Sequence, residues 1–326
     1  MVANNYGIKI FYFRKKSSKY MAKIALAVHG GAGTIDPAKL TSQLEMEYKT
    51  GLKEALLVGY KILQKGKSAL DAAETAVKVL EDFHLFNAGR GSVFNNSGKH
   101  EMDASIMCGK TLKAGAVAGV KNIKNPIGLC RMVMEKTEFV LLVGEGAEKF
   151  AKTQHFPTET DDYFYTQHRY DQWQQIKDSD KIQLDHSDEK SLGTVGAVAV
   201  DINGNVASAT STGGMTNKKW GRIGDTAIIG AGTYANNNTC AVSSTGHGEY
   251  FIKAVVAHDI SCLMLYKGLT LNEACKQVVM EKLKYLGGEG GVIAVDSKGN
   301  LSLIYNSPGM YRGAVSEDVP LFTAIF

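Results

Sequence analysis

The 326-residue sequence has little of what marks several large protein classes. It contains 5 prolines and 5 cysteines, the cysteine number is odd, and no two cysteines stand as C-x-x-C. Such spacing argues against a disulfide framework or a structural zinc site and favours a reducing compartment. No stretch approaches the roughly 18 uninterrupted apolar residues of a membrane span, and the apolar run 8–13 is too short for a signal-peptide core. We therefore expect a cytoplasmic protein with no membrane partner.

Excess positive charge is confined to one end of the chain. The net charge is +4, but residues 1–20 hold five basic side chains and no acidic one. The remainder has 32 basic and 33 acidic residues, a net charge of −1. A nearly neutral body offers no electrostatic footprint for nucleic acid, so we expect no nucleic-acid partner. We interpret residues 1–20 as a solvated basic N-terminal extension.

Several familiar catalytic signatures are also missing. There is no GxxxxGK[ST] phosphate loop, and the HGGAG segment 29–33 lacks the G-x-S-x-G elbow that an α/β-hydrolase would need. The eight histidines show no HExxH or H-x-x-H spacing. Histidines such as His29 and His100 are therefore expected to be hydrogen-bonded structural residues rather than metal ligands.

Glycine, by contrast, is abundant, with 35 residues, and glycine-rich turns separate segments of clear periodicity. An apolar strand, 23–29, is expected to end at the glycine turn 30–33. The periodic segments predict sheets covered by helices in layers. Predicted helices begin at Pro37 and after Ser68 and cover 126–136, 145–152, 250–267 and 271–284; predicted strands cover 104–107, 114–120, 194–201, 206–210, 291–296 and 301–305.

A polar segment interrupts this pattern. Residues 157–190 contain nine acidic and four basic residues and few aliphatic ones. Its aromatic stretch 163–173 is expected to dock as a helix, whereas 176–193 is expected to be a mobile linker.

The linker ends at Gly193, directly before Thr194 and a strand. A threonine hydroxyl is a poor nucleophile unless a base activates it, and a freed α-amine on the same residue can be that base. This chemistry requires cleavage between Gly193 and Thr194. The alternative is that Gly-Thr-Val-Gly simply opens a strand, and this tetrapeptide alone does not decide between them.

Three later segments carry suitable partner groups. Thr212 lies in a hydroxyl-rich strand end, and Thr245-Gly246 precedes a predicted helix, where a hydroxyl and backbone N–H groups can form an oxyanion hole. Arg222 and Asp225 could bind the two poles of an amino-acid zwitterion. The alternatives are a helix cap at Ser244 or Thr245 and a mutual surface salt bridge between Arg222 and Asp225.

Together these motifs resemble the plant-type L-asparaginase/isoaspartyl peptidase family of N-terminal-nucleophile hydrolases. The resemblance covers about residues 22–310. It rests on VHGGAGT (28–34), LFNAGRGSVF (85–94), EMDASIM (101–107), GTVGAVA (193–199), ATSTGGMTNK (209–218), GRIGDT (221–226), GAGTYANN (230–237) and STGHGE (244–249). It implies an α+β fold, a four-layer αββα sandwich, made as a single domain from an α-chain, 21–193, and a β-chain, 194–326.

The resemblance also implies roles for individual residues. Thr194 would be nucleophile and, through its amine, general base. Thr212 would orient the nucleophile, and Thr245 and Gly246 would form the oxyanion hole. The substrate would be bound by Arg222, Asp225, Gly248 and Asn87. A structural sodium ion would rest on backbone carbonyls of Leu80, Glu81, Phe83, Phe86, Ala88 and Arg90, and no cofactor would be required for the chemistry.

The implied activity is hydrolysis of the side-chain amide of L-asparagine or of β-aspartyl dipeptides. The expected partner is this small-molecule substrate, and the implied assembly is a dimer of two-chain protomers. Glycosylasparaginases and threonine aspartases are alternatives, although they usually carry Asp where Gly193 stands. A non-catalytic amino-acid-binding relative is a third alternative, and the presence of both Gly193 and Thr194 argues against it.

Overall fold

The computed structural model describes residues 22–33, 35, 40–178 and 193–326. The predictions for the extension 1–20 and for most of the linker 176–193 lie outside these residues, as does the predicted helix start at Pro37. The described residues mix helices and strands, so the expected α+β class is confirmed. Across them, no helix is long and apolar enough to cross a lipid bilayer.

The described residues form strands and helices that follow one another along the chain, with long connections between α6 and β5 and between β6 and β7. The strands are β1 (Ala25–Gly33), β2 (Met102–Cys108), β3 (Ala114–Val120), β4 (Leu141–Val143), β5 (Val195–Val200), β6 (Val206–Thr212), β7 (Thr233–Ala235), β8 (Cys240–Gly246), β9 (Gly290–Asp296), β10 (Leu301–Tyr305), β11 (Gly309–Ser316) and β12 (Phe322–Ala324). The α-helices are α1 (Ser42–Gln64), α2 (Ala69–Asp82), α3 (Pro126–Lys136), α4 (Gly144–Thr153), α5 (Asp161–Phe164), α6 (Gln167–Ile176), α7 (Gly248–Ala254), α8 (Val256–Lys267) and α9 (Leu271–Lys276).

The strands pair into two sheets. One has the order β12-β11-β1-β5-β6-β2-β3-β4 and the other the order β10-β9-β8-β7. The strands predicted at 194–201 and 206–210 form an antiparallel hairpin, β5–β6, with Val195 opposite Ser211, and β1 runs antiparallel to β5 with His29 opposite Gly196. This register places Thr194, just before β5, beside Thr212 at the end of β6.

Three apolar clusters hold the elements together. The first joins α1, α2 and α3 to the eight-stranded sheet, and the second joins α7, α8 and α9 to the four-stranded sheet. The third is built from strands of both sheets, including Val198 and Ile293, which are completely buried. Complete burial of such a side chain contributes about 1.5–3 kcal/mol, so the strand ends that carry the polar motifs rest on a rigid base.

Local signals set several boundaries as expected. Ser68 caps α2 by accepting a hydrogen bond from Asp71 N at 3.1 Å, and α3 begins at Pro126, a residue suited to a first helical turn. The aromatic stretch docks as predicted, because Trp173 of α6 stacks on Phe94 with ring centroids 5.7 Å apart.

Other boundaries differ from the prediction. Strand β1 continues through the glycines to Gly33 and absorbs the extra residue in a bulge after His29. The predicted helix 250–267 is divided into α7 and α8 by Val255, whose φ of 51° is left-handed. Helix α8 restarts there because its N–H groups at Ala257 and His258 donate to loop carbonyls. The helix predicted at 271–284 changes to a π-helix at Gln277–Leu283.

Candidate active site

Thr194 lies at the start of β5 with its side chain 7 % exposed. Its Oγ1 is 2.8 Å from the carbonyl oxygen of Gly193 and 3.1 Å from Thr212 Oγ1. Thr212 accepts a hydrogen bond from Gly214 N at 3.0 Å, which fixes its hydroxyl. The sheet register therefore delivers the predicted nucleophile and its predicted orienting residue to hydrogen-bond distance.

The carbonyl oxygen of Gly193 is surrounded by donors. Asn87 Nδ2 lies 3.1 Å away and Thr212 Oγ1 2.9 Å away, in addition to the Thr194 hydroxyl. Asn87 is completely buried, and its Oδ1 accepts from Val93 N at 3.1 Å. Donors already aimed at this oxygen can stabilise negative charge that develops on it.

Arg222 and Asp225 lie together in the cavity but do not form the salt bridge considered as an alternative. Arg222 instead makes a two-pronged ion pair with Glu249, from Nε to Oε1 at 2.8 Å and from Nη2 to Oε2 at 2.9 Å. Its Nη1 is not part of that pair. Burial by itself would raise the pKa of Glu249, but hydrogen bonds from His247 and Arg222 hold the pKa well below its usual range.

Asp225 is 4 % exposed, and its Oδ2 has no hydrogen-bond partner among the described residues. Burial raises the pKa of this carboxyl to about 7, against the opposing effect of the positive charge on Arg222. Buried polar atoms in proteins are nearly always hydrogen-bonded, so an unpartnered carboxylate oxygen facing a cavity points to a cationic or donor ligand.

Thr245 and Gly246 end strand β8 immediately before α7. The Thr245 side chain is fully buried, and within the described part of the chain its Oγ1 has no hydrogen-bond partner. The cap alternative is wrong, because α7 starts only at Gly248 and no side chain caps it. A Cβ on Gly248 would come within 2.8 Å of Arg222 Nη2 and 2.9 Å of Asp225 Oδ1, so only glycine leaves both groups in place.

A small cavity brings these groups together. Three further site residues do not line the cavity but adjoin or contact residues that do: Thr245, Gly248 and Asn87. The lining residues include Gly193, Thr194, Thr212, Gly214, Met215, Arg222, Gly224, Asp225, Thr226 and Gly246.

Comparison with known proteins gives the family of the chain. The model of the asparaginase family matches residues 22–323. The chain belongs to the asparaginase family of N-terminal-nucleophile hydrolases. The resemblance drawn from the motifs is thereby confirmed, and it extends past residue 310 to include β11 and most of β12.

Individual relatives are similar over nearly their whole length. The isoaspartyl peptidase of Escherichia coli is 51% identical over 297 residues, covering 90% of this chain and 92% of the relative. An isoaspartyl peptidase/L-asparaginase of Xenopus laevis is 47% identical over 296 residues, with 91% and 93% covered. A plant-type L-asparaginase of Pyrococcus abyssi is 47% identical over 309 residues, with 90% and 97% covered.

The loop implied to hold sodium offers backbone carbonyl oxygens as its available ligands. The described residues contain no group of His, Cys, Asp or Glu side chains able to hold a metal ion, so a cation here would rest on carbonyl oxygens. Among these, Leu80 O and Ala88 O each accept one backbone N–H, which leaves a second lone pair. A Cβ at Gly89, whose φ is +51°, would lie 2.4 Å from Glu81 O, so the glycine lets the loop close.

Sequence reasoning missed Glu249 as the partner of Arg222. The available signal was its position one residue after Gly248 inside the STGHGE segment. Its pairing with a residue 27 positions away depends on how β8 and the 221–226 loop come together, and no local pattern contains that information.

Proposed function

We propose that this chain is a threonine amidohydrolase that cleaves itself between Gly193 and Thr194 and then hydrolyses L-asparagine or β-aspartyl dipeptides. The observation that carries the proposal is the Thr194 hydroxyl, which contacts Thr212 and lies 2.8 Å from the Gly193 carbonyl oxygen. The printed names of the relatives, isoaspartyl peptidase and L-asparaginase, support the same substrate class.

The first reaction is self-cleavage. Thr194 Oγ attacks the Gly193 carbonyl carbon, and the developing oxyanion receives hydrogen bonds from Asn87 Nδ2 and Thr212 Oγ1. The C–N bond breaks, the proton lost by the Thr194 hydroxyl passes to the peptide nitrogen, which becomes the α-amine of Thr194, and Gly193 is held as an ester. Water then hydrolyses the ester, so the chain yields products of 193 and 133 residues, as counted from the sequence.

The second reaction uses the freed amine. An α-amine has a pKa of about 7.7–8.0 and can take the Thr194 hydroxyl proton near neutral pH. Thr194 Oγ attacks the substrate side-chain carbonyl, and the oxyanion is bound at Thr245 and Gly246; the unpartnered, buried Thr245 Oγ1 supports this assignment. The amine passes the proton to the leaving ammonia or amino acid, and water hydrolyses the β-aspartyl ester.

Substrate recognition uses the two poles of the amino acid. We assign the α-carboxylate to Arg222, whose Nη1 lies outside the ion pair with Glu249. We assign the α-ammonium to Asp225, whose Oδ2 is otherwise unpartnered. A nearby ammonium lowers the pKa of a buried carboxyl, so binding favours the ionised form of Asp225.

Further properties belong to the same proposal. The three apolar clusters support a four-layer αββα arrangement, with residues 21–193 and 194–326 sharing one domain. All five cysteines are free thiols, which supports the cytoplasm. The carbonyls of Leu80–Arg90 would hold a sodium ion that stabilises the loop and performs no chemistry. The resemblance further supports a dimer of two-chain protomers.

The test is to purify the chain, incubate it, and measure both its mass and its hydrolytic activity. We expect two products ending and beginning at Gly193 and Thr194, and release of aspartate from L-asparagine and from β-aspartyl dipeptides. Thr194→Ala should abolish both, whereas Thr239→Ala, which changes a buried threonine outside the cavity, should abolish neither. A single stable species without hydrolysis contradicts the proposal, and cleavage of N-glycosylated asparagine alone supports the glycosylasparaginase alternative.

A further inference from the structure

His29 of β1 is completely buried and contacts the backbone of the nucleophilic residue. Its Nδ1 lies 3.0 Å from the backbone carbonyl oxygen of Thr194, and its Nε2 lies 2.9 Å from Ser243 Oγ of β8. The histidine therefore links strands of the two sheets at the point where the chain begins β5.

The contact extends into a chain of hydroxyls. Ser243 Oγ is 2.7 Å from Thr210 Oγ1, and Thr233 Oγ1 is 2.5 Å from the same Thr210 oxygen. All three hydroxyl residues are buried to 0 % exposure. Thr210 also lies 3.4 Å from the Gly232 carbonyl, but its shorter contact is with Ser243.

Proton positions follow from the chemistry of the end group. A carbonyl oxygen can only accept, so His29 Nδ1 carries the proton and donates it to Thr194 O. Nε2 is then an acceptor and must receive the Ser243 hydroxyl proton. Ser243 in turn accepts from Thr210, and Thr210 accepts from Thr233. Every donor points toward Thr194, and this fixes the tautomer of His29.

Gly196 makes room for this arrangement. A Cβ at position 196 would lie 2.0 Å from Ser243 Oγ and 2.4 Å from His29 Nε2. Any side chain there would force the histidine and the serine apart. Gly196, the second glycine of Gly-Thr-Val-Gly, therefore allows His29 and Ser243 to come into hydrogen-bond contact next to β5.

His29 does not act as an acid or base in this position. Burial lowers its pKa to about 3, although the hydrogen bond with the Thr194 backbone opposes that effect. Its contact is also with the carbonyl of Thr194 rather than with the hydroxyl or the peptide nitrogen. What it can do is restrict the orientation of Thr194.

Such a restriction matters after self-cleavage. Thr194 lies just outside both ladders, since the last pairs on either side involve Gly196 and Val195. Once the bond to Gly193 is broken, Thr194 is a chain terminus held covalently only through its carbonyl carbon. Tilting of the Thr194–Val195 peptide plane would then move Cα, and with it both the amine and Oγ. A hydrogen bond from His29 to the carbonyl oxygen opposes that tilt.

We propose that His29, locked by Ser243, is a positioning residue that holds the Thr194 carbonyl so that the Thr194 hydroxyl and amine stay aimed at the acyl carbon. The proposal rests on the proposed hydrolase function and deepens it. It assigns Gly196, His29 and the Ser243 hydroxyl to one positioning arrangement.

Two substitutions at His29 form a matched pair. An asparagine amide nitrogen occupies roughly the place of Nδ1, so His29→Asn keeps a donor for Thr194. The glutamine side-chain amide reaches the place of Nε2, where its oxygen can accept from Ser243, so His29→Gln keeps the contact with Ser243 and loses the donor for Thr194. We expect kcat of the mature enzyme to fall at least about tenfold in His29→Gln and no more than about threefold in His29→Asn.

KM separates positioning from a general structural defect. Arg222 and Asp225 lie on a different loop, so KM for L-asparagine should stay within about twofold in both variants. The rate of self-cleavage should follow the order of kcat. Equal losses in the two variants, a loss in KM rather than kcat, or wild-type kcat in His29→Gln would each overturn the proposal.

Ser243→Ala provides a second test if the histidine variants do not fold. It leaves the imidazole but removes the hydroxyl that fixes its tautomer, and we expect a severalfold lower kcat with unchanged KM. Wild-type kcat in Ser243→Ala would overturn the proposal. The unsubstituted chain measured in parallel separates the two proposals: absence of hydrolysis there overturns the hydrolase function, whereas full activity of His29→Gln overturns only the positioning role.

Discussion

Asn87 gives the sharpest prediction about self-cleavage. Its Nδ2 donates to Gly193 O at 3.1 Å and to Gly214 O at 2.7 Å, and its Oδ1 accepts from Val93 N. Asn87→Asp preserves shape and the acceptor for Val93 but replaces both donated protons with an oxygen. Among the described residues, the oxyanion formed on Gly193 would then keep Thr212 as its one donor besides the nucleophile itself.

The expected magnitude is smaller than for a full oxyanion-hole donor. Removing such a donor costs roughly 10²–10³ in rate. Asn87 already donates to the ground-state carbonyl, and only the part of a hydrogen bond that strengthens toward the transition state affects the rate. We therefore expect self-cleavage to slow by about 10–100-fold, which corresponds to ~1.4–2.7 kcal/mol.

The assay is a pulse of cell-free synthesis followed by gel analysis of the uncleaved chain over time. Asn87→Ala separates loss of the donor from repulsion by the new carboxylate. Ser92→Ala is the matched control, because Ser92 is buried in the same loop and its Oγ has no partner among the described residues. If Asn87→Asp and Asn87→Ala both mature at the wild-type rate with unchanged melting temperatures, the assigned role of Asn87 is wrong.

Two further substitutions test substrate binding in the mature enzyme. Arg222→Lys should raise KM at least about tenfold and change kcat less. The reason is that one ammonium cannot reproduce the planar guanidinium that pairs with Glu249 and still reach a substrate carboxylate. An unchanged KM in steady-state kinetics would contradict this prediction. Asp225 binds its proton more tightly in the folded protein, with a pKa of about 7, than in the unfolded chain, so its contribution to stability is lost as pH rises from about 4 through 7. Asp225→Asn should therefore melt higher than wild type at pH 8 and at the same temperature near pH 4. In the unsubstituted enzyme kcat/KM should fall as pH drops below about 7, and a flat profile would refute the role of ionised Asp225.

Much of the fold could be predicted where the signal is local. The cap at Ser68, the proline at the start of α3 and the Asn203-Gly204 turn each act within a few residues, and the corresponding elements lie where expected. The motif residues around Thr194 could be named because glycines and hydroxyl residues mark strand ends that border the cavity.

Strands that depend on distant partners were not predictable in the same way. Strand β11 inserts between β12 and β1, with Ala27 opposite Ala314. Strand β8 reads as a hydroxyl-rich loop, yet six of its seven residues are fully buried. A strand buried on both faces lacks the alternation that identifies a strand in sequence. Its polar side chains instead bond across the sheets, as Ser243 does with His29.

The charge balance of the site depends most strongly on tertiary structure. The sequence allowed a salt bridge between Arg222 and Asp225, and such a salt bridge would lower the pKa of the aspartate. In the structure, Arg222 instead pairs with Glu249. Asp225 is buried without that partner, so its pKa rises. Asp225 then tends to hold a proton at the place proposed for the substrate ammonium, and below about pH 7 such binding would release that proton. Under the proposed function, Glu249 would influence recognition of the ammonium without touching it, since its ion pair with Arg222 leaves Asp225 Oδ2 without a hydrogen bond.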